Sequence, residues 1–338
     1  MLYRRKVFLN LVSKSKEPLS LIKLHKLMFL LVEASNKELY SFIPNKFGCY
    51  SLTLHDDQVA LITKQFLIEE KGDSPFKSFL SINTSLCDAT TILLEKEDSQ
   101  LLDAVLRKYQ MKSENDLIDL TYRMEPYYGI RSKIIERFAH DTPFLLRVKA
   151  IKKKIGNASR GLYTIGYEGL SIDSFVQHLI GNNITCLVDV RKIAFSMRRE
   201  FCKTNLLNAL QEAGITYIRM AEVGIPSKKR KELLPLGEKD ELFAWYKENI
   251  LPQCPSYASH IADLVSKENI ALMCYEKDPN DCHRSLFATY CKEQQPAISA
   301  IIHLRGDSGE KPYSIIGVFY PPKELQQSFD FVPDRESK

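Results

Sequence analysis

The residue types best suited to chemistry lie together in residues 274–284. This segment carries two cysteines, Cys274 and Cys282, with Glu276 between them and His283 directly after the second cysteine. A thiolate is a strong nucleophile, and an imidazole or a carboxylate can serve as its base. The segment therefore predicts thiol or acid–base chemistry, with Cys274, Glu276, Cys282 and His283 as candidate catalytic residues.

Arg284 follows them at the start of a predicted helix. Backbone N–H groups are unpaired there and the helix dipole is positive, so a phosphate or carboxylate can bind beside the guanidinium. The same position lowers the pKa of a nearby thiol. A structural interpretation stays open, in which both cysteines are small buried hydrophobes and Arg284 pairs with Asp189 to hold the end of a sheet.

A second polar group, Asp189-Val190-Arg191, follows an earlier apolar run. Asp189 is a further candidate catalytic residue, because Asp189 and Glu276 can divide acid and base roles if their environments differ. Alternatively, Asp189 and Arg191 lie on the same side of a strand and simply pair. Gly166 suits either a close approach to a ligand or a tight turn. The candidate substrate-binding residues are Gly166, Tyr167, Arg191, Ser196 and Arg284.

Cations interleaved with aromatic residues follow two of the predicted strands. Phe195 and Phe201 lie among the cations of the first group, and Lys228-Lys229-Arg230-Lys231 forms the second. Aromatic rings among cations suit a nucleic-acid single strand or an extruded base, although a charge run is as often a solvated surface. The candidate nucleic-acid-binding residues are Arg198, Arg199, Lys203, Lys228, Lys229 and Arg230.

The sequence predicts no metal and no cofactor. A zinc site is expected to show paired short spacings, which the eight cysteines do not form. Gly166-Tyr167-Glu168-Gly169 lacks the third glycine of the dinucleotide-binding fingerprint, and no P-loop is present.

The pattern from residue 161 onward supplies elements that can bring these residues together. Apolar runs at 162–165, 185–190, 215–220, 270–274 and 298–304 alternate with helical patterns. This alternation predicts an α/β fold, a parallel sheet flanked by helices, whose ligands bind outside the carboxyl ends of the strands. The residues expected in one pocket there are Asp189, Arg191, Cys274, Glu276, Cys282, His283 and Arg284.

Three blocks in this half resemble the family called domain of unknown function 488. They are Thr164-Ile165-Gly166-Tyr167, Leu187-Val188-Asp189-Val190-Arg191 with Ser196, and Leu272-Met273-Cys274-Tyr275-Glu276 continued by Cys282-His283-Arg284. The resemblance spans about residues 162–291 and implies the family's fold and site. It also implies a link with nucleic-acid metabolism and defence.

A more distant resemblance to rhodanese implies sulfur or phosphoryl transfer through a cysteine. It is carried by Val188-Asp189-Val190-Arg191 and by a later cysteine before Arg284-Ser285. The stretch from Cys274 to Arg284 is longer than the compact rhodanese loop.

The first half of the chain predicts a mainly α-helical domain. Helical spacing covers residues 21–31 behind a Ser20 cap, and then residues 56–70, 99–109 and 114–122, with a connector over 42–51. Leu24-His25-Lys26-Leu27-Met28-Phe29 and Phe47-Gly48-Cys49-Tyr50-Ser51 resemble the Panacea, or SocA-like, antitoxin domain over about residues 18–72. Cys49 stands where that family usually has proline. On this apolar helix face, His25 is expected to be packed rather than to bind a ligand.

Length and charge agree with two domains. The chain has 338 residues, and residues 1–160 carry 26 Lys and Arg against 19 Asp and Glu, whereas the remainder is nearly neutral. The basic run over 147–160 marks the expected boundary between a domain at 1–155 and one at 161–310, with a tail at 311–338. The excess of positive charge suits an acidic partner such as nucleic acid.

The chain is expected to be a cytoplasmic protein. No apolar run near the start reaches the ~20 residues of a spanning helix, and no secretory signal pattern is present, so no membrane partner is expected. The cysteines are then reduced thiols. The function that we predict is an enzyme directed at nucleic acid or nucleotides, which cleaves or modifies a base or sugar. The alternative is an antitoxin-like protein that binds a protein partner through its first half and senses a ligand without turnover.

Overall fold

The computed structural model describes residues 1–35, 37–72, 78–87, 92–233 and 239–306. The chain divides into two compact units between Lys152 and Lys153. We call them the N-terminal unit and the C-terminal unit. The predicted tail at 311–338 lies outside the described residues.

The N-terminal unit is mainly helical, as predicted. Ser20 caps the second helix as expected, because its side chain accepts a hydrogen bond from the backbone of Lys23. The helices are α1 (Tyr3–Ser13), α2 (Leu21–Ala34), α3 (Leu52–Thr63), α4 (Lys96–Tyr109), α5 (Glu114–Met124) and α6 (Thr142–Gly156). Short strands also occur: β1 (Leu19–Ser20), β2 (Ile43–Asn45), β3 (Gly48–Tyr50), β4 (Leu67–Lys71) and β5 (Ser78–Ile82).

Two local predictions for this unit were wrong in part. The helix expected over 56–70 ends at Thr63, since Gln65 adopts a left-handed backbone and the chain continues as β4. The connector at 42–51 contains an antiparallel hairpin of β2 and β3. Gly48 has a φ of 97° in this hairpin, a conformation that favours glycine.

His25 is a packed residue in the N-terminal unit. Its Nδ1 accepts a hydrogen bond from the backbone N–H of Ser51 at 3.2 Å, and its ring stacks on Tyr50. Nearby, Lys26 donates to the carbonyl of Cys49 at 2.7 Å. The two sequence blocks that resemble the Panacea domain are thus in contact within this unit. The assignment to that family stays a prediction.

The C-terminal unit contains a five-stranded parallel sheet, which confirms the predicted fold class. Its strands are β6 (Leu162–Gly166), β7 (Ile184–Asp189), β8 (Thr216–Arg219), β9 (Asn269–Cys274) and β10 (Ile301–Leu304), in the spatial order β10-β6-β9-β7-β8. All neighbours pair in parallel. Strands β6 and β7 follow each other in the chain, yet β9 lies between them. The strand that leads into Cys274 therefore occupies the centre of the sheet.

Helices accompany the strands, as the alternating pattern predicted. They are α7 (Ile172–Gly181), α8 (Lys203–Glu212), α9 (Ser227–Leu233), α10 (Lys239–Asn249), α11 (Pro255–Lys267) and α12 (His283–Gln294). Helix α9 is an additional helix that the sequence did not predict. Strands β7 and β9 are almost entirely buried, as parallel strands covered on both faces must be. Within the described residues, no helix is long and apolar enough to cross a membrane.

Limited proteolysis tests the division into units. Residues 157–160 follow the end of α6 and are largely exposed, so trypsin should cut there or at the adjacent lysines first. We expect two protected fragments that meet between Lys152 and Arg160, identified by mass spectrometry. A single protected fragment that spans these residues would contradict the division.

Candidate functional site

The carboxyl ends of the three central strands bring the predicted site residues to one edge of the sheet. Gly166 at the end of β6 pairs with Cys274 at the end of β9, and Asp189 at the end of β7 pairs with Met273. Helix α12 then begins at His283, directly after Cys282. The polar side chains at this edge form two separate clusters.

The first cluster, which we call the thiol–imidazole cluster, consists of Cys274, Glu276, Cys282, His283 and Arg230. His283 Nδ1 lies 3.7 Å from Cys274 Sγ and 3.9 Å from Cys282 Sγ. Glu276 Oε2 lies 3.4 Å from Cys274 Sγ. Both thiols and the imidazole are buried, whereas the Glu276 side chain is 26% exposed. All four predicted catalytic residues of residues 274–284 therefore meet in one place.

The orientation of His283 is determined by the neighbouring strand. Its Nε2 lies 3.1 Å from the carbonyl oxygen of Val190, so this nitrogen carries a hydrogen and donates it. Nδ1 is then the atom that faces the two thiols. Tyr246 packs edge-on against the ring, at 5.6 Å between centroids. These contacts hold the imidazole in one orientation, with its second nitrogen directed at sulfur.

Arg230 was predicted to bind nucleic acid, but its side chain belongs to this cluster. Arg230 Nη2 lies 3.2 Å from His283 Nδ1, and Nη1 lies 3.7 Å from Glu276 Oε1. The sequence did not reveal this contact, because Arg230 is 53 residues from His283 and stands in a run of four cations. The run looks like a solvated surface, and only the fold shows that one of its members faces the site.

The charges in the cluster favour a thiolate on Cys274. Burial by itself raises the pKa of this thiol, but the hydrogen bond from Cys282 and the charges of His283 and Arg230 outweigh it and hold the pKa well below its usual range. Burial lowers the pKa of His283, yet the negative sulfur of Cys274 leaves it raised overall. The two pKa shifts have a shared cause, the interaction between the Cys274 sulfur and the imidazole of His283.

The pKa values of Cys282 and Glu276 shift in the opposite direction to that of Cys274. Burial, followed by the neighbouring Cys274 sulfur, raises the pKa of Cys282 well above its usual range. Burial and the same sulfur also raise the pKa of Glu276. Of the two thiols, Cys274 therefore has the lower pKa and Cys282 the higher one.

The second cluster surrounds Asp189. Arg191 donates to both carboxylate oxygens of Asp189, at 2.8 and 2.6 Å, and its backbone N–H donates to the same carboxylate. Tyr217 donates a further hydrogen bond at 2.8 Å. These four bonds occupy both oxygens of the buried carboxylate. The idea that Asp189 and Glu276 divide acid and base roles is not supported by this geometry, and the pairing of Asp189 with Arg191 is what the structure shows.

Arg191 and Tyr167 complete the second cluster. Arg191 Nη1 donates to the hydroxyl of Tyr167 at 3.1 Å and to the carbonyl of Phe201 at 3.0 Å. The ring of Tyr167 stacks on that of Phe201 at 4.2 Å. Tyr167 and Arg191 were both predicted to bind substrate, but they are buried in this network and support the loop after β7.

Arg284 holds the loop between β9 and α12. Its guanidinium is fully buried and donates to the carbonyl oxygens of Glu276 and Lys277, while Nε has no partner among the described residues. Arg284 does not pair with Asp189. The structural role expected for Arg284 is therefore present, but the expected ion pair with Asp189 is not. An anion at Arg284 would have to displace two backbone bonds. The structure thus gives this residue a positioning role.

Gly166 is placed where a side chain would collide with this loop. A Cβ atom at Gly166 would lie 1.8 Å from the carbonyl oxygen of Glu276. Glycine allows the loop to cross directly over the end of β6, so the close approach that the sequence predicted is to backbone. It does not require a ligand.

The remaining predicted residues lie on the loop after β7 and on α9. Ser196 shapes the loop by accepting a hydrogen bond from the backbone of Arg198. Arg198 pairs with Glu200 and lies over the ring of Phe201. Lys229 pairs with Glu232. The exposed members are Arg199, Lys203 and Lys228.

The position of Arg284 leads to a test of stability. Arg284→Ala removes the donors to the carbonyls of Glu276 and Lys277 and empties the space of a fully buried side chain, so we expect the free energy of unfolding to fall by about 2–4 kcal/mol, measured by urea denaturation. Arg284→Lys should recover only part of it, because an ammonium cannot span both carbonyls. The control is Arg305→Ala, which breaks an exposed ion pair with Asp278 and should cost less than about 1 kcal/mol. Equal costs for Arg284→Ala and Arg305→Ala would contradict the positioning role.

Three groups of the first cluster have the composition of a metal site. The ligand atoms of Cys274, Cys282 and His283 all lie within 4.8 Å of one another. The cysteine spacing did not indicate this set, because Cys274 comes from a strand and the other two come from a helix start across a loop. Only the folded loop brings the three together.

Comparison with known proteins identifies the C-terminal half. Neither the curated proteins nor the solved structures contain a significant match to this chain. The family model described as Domain of unknown function DUF488 matches residues 171–291, which include β7, β9 and the start of α12. The C-terminal half of the chain is therefore similar to the DUF488 family over residues 171–291, as predicted, and the match includes the second and third sequence blocks but begins after the first.

Proposed function

We propose that the C-terminal unit is an enzyme that acts on nucleic acid or on a nucleotide-like substrate and cleaves or modifies a base or sugar. The observation that supports this proposal is the thiol–imidazole cluster at the carboxyl edge of the sheet, where open parallel sheets bind their ligands. The DUF488 match includes the cluster residues Cys274, Glu276, Cys282 and His283.

The composition of the cluster favours chemistry over packing. Two thiols, an imidazole, a carboxylate and a guanidinium meet among otherwise apolar strands. Burying such groups costs stability unless each is paired, and a core gains nothing from them that apolar residues would not supply better. Several ionisable groups in one place, with mutually altered pKa values, are typical of active sites.

Glu276 is the residue best placed to exchange protons with a substrate. Its carboxylate contacts the buried Cys274 sulfur on one side, and about a quarter of its side chain is exposed on the other. A group that connects a buried reactive atom with the outside can transfer a proton between them. We therefore assign Glu276 as the general acid–base residue.

The loop after β7 supplies a surface for nucleobases and phosphates. Phe195 is 67% exposed and Met197 is 93% exposed, with Ile193 also exposed beside them. Arg199 and Lys203 follow on the same loop and the start of α8, and both are exposed. Exposed apolar side chains stack on bases and the adjacent cations pair with phosphates, which is how sequence-tolerant single-strand binding is achieved.

A second candidate is group transfer through Cys274. The distance of 3.7 Å between its sulfur and His283 Nδ1 places a thiol beside a base, which is the arrangement of a cysteine nucleophile. In this version the Cys274 thiolate attacks a sulfane sulfur or a phosphorus atom of the substrate, and the bond from that atom to the rest of the substrate breaks, so that the remainder leaves as an anion. Both versions need reduced thiols, so a cytoplasmic location is part of the proposal.

The activity is tested by incubating the full-length protein with plain and modified DNA, RNA and nucleotides and measuring mass changes. We expect the mass of one of these substrate classes to change. The Glu276→Gln variant should catalyse this change about 10²–10⁴-fold more slowly, because it loses general acid–base catalysis. The control is Glu248→Gln, at an exposed position on α10. Unchanged substrates, or full activity of Glu276→Gln, would overturn the assignment.

The binding surface is tested by titration with a single-stranded oligonucleotide at several salt concentrations. The double variant Arg199→Ala, Lys203→Ala should weaken binding about tenfold, and the slope of log affinity against log salt should fall by roughly 0.7 for each phosphate that is no longer neutralised. The control is Lys267→Ala, an exposed residue just before the first residue of β9 and thus at the opposite edge of the sheet. Equal weakening in both proteins would rule out a specific role for the loop.

A further inference from the structure

We propose that Cys274, Cys282 and His283 bind a divalent metal ion of the zinc type. Their ligand atoms lie within 4.8 Å of one another, and Nδ1 of the imidazole is 3.7 and 3.9 Å from the two sulfurs. In a tetrahedral zinc site the ligand atoms are roughly 3.5–3.8 Å apart, given the usual zinc–sulfur and zinc–nitrogen bond lengths. The three side chains are therefore almost in coordinating positions.

The imidazole already has the orientation of a metal ligand. Its Nε2 donates to the carbonyl oxygen of Val190, so the free electron pair is on Nδ1, which faces both sulfurs. Metal-binding histidines almost always donate their second N–H to a carbonyl or carboxylate, because this contact holds the ring and its tautomer. The hydrogen bond to Val190 is a separate observation from the distances among the three ligand atoms, and it also supports a metal-binding role for His283.

Glu276 lies beside the open fourth corner of the site. Its Oε2 lies 3.4 Å from Cys274 Sγ, so the carboxylate is close enough to accept a proton from a water molecule at that corner. The thiols and the imidazole are buried, whereas Glu276 is partly exposed, so the fourth corner faces outward. Three protein ligands with an outward fourth position are typical of a catalytic zinc site.

This geometry deepens the proposed function and, in its catalytic part, rests on it. A water molecule at the fourth corner would be polarised by the metal and would give one proton to the Glu276 carboxylate, leaving a bound hydroxide as the nucleophile. Cys274 is then a ligand and does not attack the substrate. Two cysteines, one histidine and a carboxylate that handles protons are also the groups that zinc enzymes use to replace an amino group on a nucleobase with water.

Arg230 must move for the metal to enter. Its Nη2 lies 3.2 Å from His283 Nδ1, the atom that would bind the ion. The helix that carries Arg230, α9, has no buried residue, and the arginine side chain is 29% exposed, so it can withdraw without disturbing a core. Two thiolates and one carboxylate around a divalent ion leave a net charge of −1. Arg230 can neutralise that charge through Glu276.

The test is metal analysis of the full-length protein, which needs no substrate. After reconstitution with Zn²⁺ and removal of excess metal, we expect about one zinc per chain by elemental mass spectrometry. Replacement by Co²⁺ should produce a thiolate-to-cobalt charge-transfer band and the strong visible bands of tetrahedral coordination. Cys274→Ser, Cys282→Ser and His283→Ala should each weaken metal binding at least about tenfold. The control is Cys202→Ser, a half-buried cysteine of the same unit, which should retain the metal.

The outcomes separate the metal site from the enzymatic function. Circular dichroism checks the fold of each variant, and where a variant fails to fold, the cobalt spectrum of the unaltered protein decides whether thiolates bind the metal. Less than about a tenth of a zinc per chain, or equal metal in the Cys274→Ser and Cys202→Ser proteins, would overturn the metal site. Activity without metal that is abolished in Cys274→Ser would also overturn it and would support the cysteine nucleophile. Bound metal without any turnover would leave the site established and count against the enzyme.

Discussion

The candidate site depends on one buried guanidinium that holds a loop in place. Arg284 comes from the first turn of α12 and donates to the carbonyls of Glu276 and Lys277, just after β9. The contact ties the start of the helix to the end of the strand, and therefore ties Cys282 and His283 to Cys274 and Glu276. The loop can lie this close to β6 only because Gly166 has no side chain. Arg284 and Gly166 together therefore determine where the loop lies relative to β6 and β9.

The sequence predicted the fold of the C-terminal unit well, because apolar runs and helical spacing are local signals. The five strands lie close to the predicted apolar runs, and the rule for parallel sheets predicted the edge at which the polar side chains meet. In the N-terminal unit the same kind of spacing extended α3 too far. The helical spacing continues past Thr63, but the helix ends there, close to Gln65, which has a left-handed backbone conformation. No local pattern in the sequence predicted this conformation.

The site was predicted less completely, because side-chain partners depend on distant parts of the chain. The sequence singled out Cys274, Glu276, Cys282 and His283, and the structure brings them together. It assigned Arg284 to an anion, although the structure directs this side chain to backbone carbonyls. It placed Arg230 on a basic surface, although Arg230 reaches the imidazole from α9. For both arginines the residue type correctly indicated a polar contact. The partner depends on how distant segments pack, and the spacing of residues in the sequence does not reveal it.

The nitrogen Nδ1 of His283 has a single electron pair, and this limits what the site can do at one time. The pair can accept from Arg230, which lies 3.2 Å away, or it can bind an ion, but not both. An anionic group that attracts Arg230 outward would therefore free the nitrogen, and an ion on the nitrogen would free Arg230 to meet an anion. Such linkage is reciprocal, so each of the two ligands must raise the affinity for the other by the same factor. In the proposed metal site, the shared nitrogen would therefore couple the binding of a cation at His283 to the binding of an anion at Arg230.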